Sequence, residues 1–175
     1  MQKLVTAILI LSSALLAGCA GTTATVKTEY RLVQGEKFKL QFVAPPNING
    51  EGAYLPSAWG IQRLHEELKT RLYRNGLLTS ETDTSARTLE VTVTSFRMRT
   101  EAVRYFSGFV PYSDNIQSVV NVKDEASGKV LSEFTVESKN STNFPTQGML
   151  IDDHAGTIIT TLKGEKHETL SMSLP

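Results

Sequence analysis

The side chains best suited to acid–base work or metal binding in this 175-residue chain are three histidines, His65, His154 and His167. Two ligands reach one helix face only at spacings such as His-x-x-x-His or Glu-x-x-His, and none of these surrounds them. Asp152-Asp153-His154 has the composition of a carboxylate-oriented base. Neighbouring helical residues point about 100° apart, so the three do not converge, and a polar helix face is expected instead. Ser107-Gly108 lacks the Gly-x-Ser-x-Gly elbow of hydrolases. Gly50-Glu51-Gly52 lacks the Gly-x-x-x-x-Gly-Lys phosphate loop. The expectation is a protein that is not an enzyme and uses neither cofactor nor metal.

Binding chemistry is better represented. Tyr105, Phe106, Phe109 and Tyr112 place four of the chain's 13 aromatic residues within eight positions. Aromatic side chains on a hairpin tip anchor a partner or enter a membrane interface, unless they fold back as a small core over the sheet edge. Leading into that loop are Arg97, Arg99 and Arg104. By strand alternation Arg97 and Arg99 share a face, where they would grip a carboxylate or phosphate or pair with Glu90 or Glu101.

The N-terminus supplies an address. Lys3 precedes an uncharged, mostly aliphatic run, Leu4 to Leu16, of 13 residues. As a helix this run rises about 20 Å, short of a hydrocarbon core of about 30 Å, so it is expected to be a signal peptide rather than a membrane span. It ends in Leu16-Ala17-Gly18-Cys19, and Cys19 is the only cysteine. These four residues resemble the lipobox of bacterial lipoproteins. The resemblance implies cleavage before Cys19 and acylation of its thiol, and two or more acyl chains anchor stably where one does not. In such lipoproteins an Asp after the cysteine favours the inner membrane. Ala20 stands here, which implies the outer membrane, facing the periplasm.

Three segments are therefore expected: a signal peptide over 1–18, a lipidated Cys19 with a short tether over 19–28, and one domain over 29–175. Removal of 1–18 leaves 157 residues. The intact chain balances 18 Lys and Arg against 18 Asp and Glu, so it has no electrostatic footprint for nucleic acid. A single cysteine excludes an intrachain disulfide framework. A tether of nine flexible residues reaches about 30 Å, which keeps the domain close to its membrane.

Within the domain, Lys37 to Phe42 alternates polar and apolar residues as a half-buried strand does. Pro45-Pro46 ends it. Ser57 is placed to cap a helix running to Asn75, with Ile61, Leu64, Leu68 and Leu72 as its apolar stripe and Arg63 and Arg71 largely on the charged side. Leu89, Val91 and Val93 form one strand face, and the switch to Phe96 and Met98 signals either a bulge or a strand that leaves the core there. Ile116, Val120 and Val122, then Val130, Phe134 and Val136, add two strands around the turn Asp124–Lys129, where Gly128 is expected at positive φ. Residues 147–162 form a second helix. The order predicts an α+β fold, a mainly antiparallel sheet of about four or five strands with two helices packed on one face.

The stretch Leu89-Glu90-Val91-Thr92-Val93-Thr94-Ser95-Phe96, followed by Arg104, Ser107-Gly108-Phe109, Val122-Lys123-Asp124 and Ser127-Gly128-Lys129-Val130-Leu131, resembles small bacterial outer-membrane lipoproteins of a family of unknown function. The likeness spans roughly the mature domain and implies no reaction. The expected role is a non-catalytic binding or assembly module of an envelope complex, partnered by the membrane through its lipid and by another envelope protein. The alternative is a module for a small anionic or glycan ligand, and a cell-wall hydrolase ranks below both.

Overall fold

The computed structural model describes residues 21–45, 58–80, 82–83, 86–100, 103, 113–141 and 146–165. The elements follow in the order β1 (Gly21–Thr28), β2 (Phe38–Val43), α1 (Ala58–Arg74), β3 (Arg87–Arg97), β4 (Asp114–Lys123), β5 (Val130–Asn140) and α2 (Gln147–Leu162). The strands make one sheet, β1-β5-β4-β3-β2. Only the β2–β3 pair is parallel. The fold is α+β with two helices on one face, as the periodicity predicts. Among the described residues no helix is long and apolar enough to cross a membrane.

The tether expected over 19–28 is corrected from Gly21 onward, because these residues are strand β1, paired from Gly21↔Lys139 to Thr28↔Glu133. The segment has no apolar alternation because it lies at the sheet edge, where backbone pairing and β-branched threonines hold it. Its Thr22 is buried, and the hydroxyl lies 2.8 Å from that of Ser138.

Phe38, Leu89, Val91, Val120, Phe134 and Val136 project from the sheet into the core, and Leu64, Leu68, Leu72, Ile151, Ile158 and Leu162 meet them from the helices. The register of β3 on β4 shifts between Val93 and Ser95, and this bulge returns Phe96 to the core face. Gly128 ends the β4–β5 turn at φ 66° as expected. Asn75 and Gly76 follow α1, with Gly76 at φ 68°.

The helices meet through an arginine-on-glycine register: Arg63 stays exposed and Arg71 half-exposed, as the charged outer side predicts, yet both guanidinium groups rest over glycines of α2. A Cβ at Gly148 would lie 3.0 Å from Arg63 Nη2, and one at Gly156 would lie 3.3 Å from Arg71 Nη1. Both pairs step eight residues in the same direction, so α1 and α2 run parallel. Gly156 weakens the intrinsic helix propensity of α2 but makes room for a guanidinium.

Candidate functional site

Strand directions sort the molecule into two ends. One holds the start of β1, the ends of β2, β3 and β5, the start of β4 and the N-termini of both helices. A single row of partners crosses it, Gly21↔Lys139↔Asn115↔Arg97. The connections between β2 and α1, β3 and β4, and β5 and α2 all leave from this end.

Arg97 and Arg99 do not share a face. Arg97 is the exposed last residue of β3, whereas Met98 and Arg99 are both buried because regular alternation stops with the strand. Arg99 is 1% exposed and its partner Asp114 is 0% exposed. Its backbone N–H donates to Asp114 Oδ1 at 2.7 Å, Nε donates to the same oxygen at 3.3 Å, and Nη2 donates to Oδ2 at 3.1 Å. Nη2 also reaches the Asn140 carbonyl at 3.1 Å, and the Gln147 amide donates to the Arg99 carbonyl at 2.7 Å. The buried guanidinium thus ties the end of β3 to the start of β4 and the end of β5, and the Arg99 carbonyl adds the first turn of α2. A buried charge is tolerated only when paired and hydrogen-bonded in this way. Glu90, expected as a partner for the arginines, instead accepts from Lys123 at 2.7 Å. That bond and a second from Asn121 hold its carboxyl below the usual range against the opposing effect of burial.

Arg104, Tyr105, Phe106, Phe109 and Tyr112 lie outside the described residues, as do Cys19 and Glu101. What the structure does give is the base of their connection, closed by Arg99 and Asp114.

Beside that base, α1 starts with Trp59, which is 56% exposed. Arg63 lies one turn on, its Cζ 5.7 Å from the indole centroid, and its Nη2 is 3.4 Å from Asp152 of α2. Sequence inspection passed over Trp59, although its signal was present: the only tryptophan stands off the apolar stripe, four residues before an arginine. Asp114 gave no comparable signal, being 15 residues from Arg99 across the connection.

The histidines are used otherwise. His154 is fully buried between α2 and the sheet, its Nε2 2.9 Å from the Ser118 hydroxyl and its Nδ1 2.8 Å from that of Ser138. Burial pushes its pKa down to about 3, so the ring is neutral at pH 7. Asp152 points instead to Arg63, which agrees with the divergence expected for Asp152-Asp153-His154. His65 stacks on Phe42 with centroids 4.8 Å apart, and His167 lies outside the described residues. Among the described residues no group of three or more His, Cys, Asp or Glu side chains is placed to hold a metal ion.

The opposite end carries a separate polar cluster. Tyr30 donates to Glu36, and Arg87 bonds both Tyr30 and Glu36, the latter at 2.7 Å. Burial, reinforced by Glu36, raises the Tyr30 phenol. A shallow surface depression adjoins it, lined in part by Gln34, Lys37 and Asp83.

No protein-family model matches the sequence, and no curated protein matches it. Solved structures do match the fold. PelC of Paraburkholderia phytofirmans, a dodecamer, is similar at TM-score 0.57 and 12% identity, over 83% of this chain and 99% of that one. A DUF330 protein from Xanthomonas campestris, of a family of unknown function, is similar at TM-score 0.52 and 12% identity, over 80% and 90% of the two chains. These likenesses establish a shared fold.

Proposed function

We propose that this protein is a lipoprotein anchored at Cys19 to the periplasmic face of the outer membrane, where it acts as a non-catalytic binding or assembly module of an envelope complex. The observation that carries the proposal is the Arg99–Asp114 clamp, a buried ion pair closing the base of the connection that bears Tyr105, Phe106, Phe109 and Tyr112. A rigid scaffold beneath a binding segment lowers the ordering cost of recognition. The non-catalytic part of the proposal is supported by His154, whose two nitrogens are occupied by serine hydroxyls in the core. By analogy of fold with the PelC dodecamer, the complex contains several copies of the domain. The alternative of an anionic or glycan ligand is weakened, because Arg99 already holds Asp114 and the Asn140 carbonyl.

Two measurements test the proposal. Metabolic labelling with radioactive fatty acid should mark the wild type and not Cys19→Ser; persistent label in the variant overturns the anchor. Crosslinking followed by pull-down from detergent-solubilised envelope should recover a protein partner that is lost with Phe106→Ala/Phe109→Ala. Undiminished recovery would remove the aromatic connection from the binding surface.

A further inference from the structure

The start of β1 and the exposed tryptophan belong to the same end of the molecule. One residue, Ala20, separates Cys19 from Gly21, the first residue of β1, and the two chain steps span at most about 7 Å. Across the sheet Thr22 is level with Phe96 through the partners Ser138 and Ile116. Gly60 sits on the Phe96 ring so closely that an added Cβ would come within 2.4 Å of it. Trp59, the next residue toward the N-terminus, is therefore level with the start of β1. It stands about 14 Å to the side, three strand spacings away.

The surroundings suit a lipid headgroup layer. Both helices point their N-termini to this end, and neither has an acidic residue in its first turn; the nearest described carboxylate, Asp152 in the second turn of α2, lies 3.4 Å from Arg63. Arg63 packs against the indole, and Met149, 37% exposed, follows Gly148, on which the same guanidinium rests. An indole beside a cation and an exposed thioether is the chemistry of the membrane interface, where tryptophan takes the level of the headgroups.

We infer that Trp59, with Arg63 and Met149, forms a second contact with the anchoring membrane, seating this end of the sheet against the lipid headgroups. The inference rests on acylation of Cys19. The lipid restrains one edge of the sheet at β1, and the indole restrains the other side at α1. Two separated contacts fix the tilt of the domain, which a single tether leaves free. Tyr73, at the far end of α1 and 75% exposed, is held about 21 Å further from the bilayer.

Because the chain has one tryptophan, its fluorescence reports this contact directly. The lipidated full-length protein is reconstituted into vesicles of phosphatidylethanolamine and phosphatidylglycerol with brominated acyl chains. Trp59 emission is expected to shift to the blue and lose intensity relative to unbrominated vesicles. In a Trp59→Phe/Tyr73→Trp variant, the relocated indole is expected to keep the intensity and wavelength of an exposed tryptophan. Equal quenching at both positions, or unquenched Trp59 in protein shown by mass to carry its acyl chains, overturns the membrane contact and leaves the anchor intact. Absence of acylation overturns both.

Discussion

Between β4 and β5 the chain reverses over residues 124–129, whereas between β3 and β4 it uses residues 98–113. The short reversal is held by its own backbone and by exposed side-chain bonds. The Asp124 N–H donates to the Lys129 carbonyl at 2.9 Å, the Ser127 N–H to Asp124 Oδ1 at 2.9 Å, and Glu125 accepts from Lys39 and Thr88. The base of the long connection is closed by an ion pair whose two side chains are fully buried. Turn chemistry suffices to close a hairpin. A desolvated guanidinium at the base of a long connection is a costlier device, and the proposed function takes that end as the working one.

The largest effect separating the two ends is expected from Asp114→Ala, which leaves Arg99 charged and buried without its carboxylate. Denaturant unfolding should show a loss of about 3–5 kcal/mol. A loss under 1 kcal/mol would mean that the clamp is dispensable.

Next comes His154→Ala, which strands the hydroxyl of Ser118, leaves Ser138 with Thr22 alone and opens a cavity, at a cost of about 3 kcal/mol. The histidine also sets a pH dependence. The unfolded chain takes up a proton near pH 6.5 that the folded chain refuses until about pH 3. The histidine therefore costs the fold nothing above about pH 6.5 and destabilises it progressively as pH falls toward 3. This single group gives a slope of at most about 1.4 kcal/mol per pH unit. His154→Gln should flatten the stability profile across that window, and an unchanged slope would locate the acid sensitivity elsewhere.

Gly60→Ala is expected to cost about 1–3 kcal/mol, since the Phe96 ring must move in a packed core. Gly156→Ala provides the contrast, because its neighbour is the end of the flexible Arg71 side chain. The gain in helix propensity should leave it within about 1 kcal/mol of wild type, on the stabilising side. At the hairpin end, Gly128→Ala should lose about 1 kcal/mol for adopting positive φ. Thermal unfolding of the three variants side by side checks this order.

Both helices, the Thr94 bulge and the Asp124–Lys129 turn were legible in the sequence, because each leaves a periodic or turn-specific trace within a few residues. Strand β1 left none, since an edge strand rich in threonine is held by backbone bonds to β5 and not by an apolar face. Arg99 was legible as an arginine but not as a buried one. Strand alternation was extended past Arg97, where the strand ends, and the deciding partner Asp114 lies across a connection with no fixed length. Arg63 and Arg71 keep the outward exposure expected of them, but their seat over the second helix was not legible for a related reason. Only the position of Gly148 and Gly156 on a second helix turns a charged face into a helix contact.

The difference between the two ends is tested most directly by placing a photo-crosslinking amino acid at position 106 in the long connection or at position 126 in the short turn, in cells expressing the intact protein. Irradiation should give envelope adducts from position 106 and little from position 126. Equal adducts from both positions, or adducts from position 126 alone, would contradict the assignment of the clamped end as the working end.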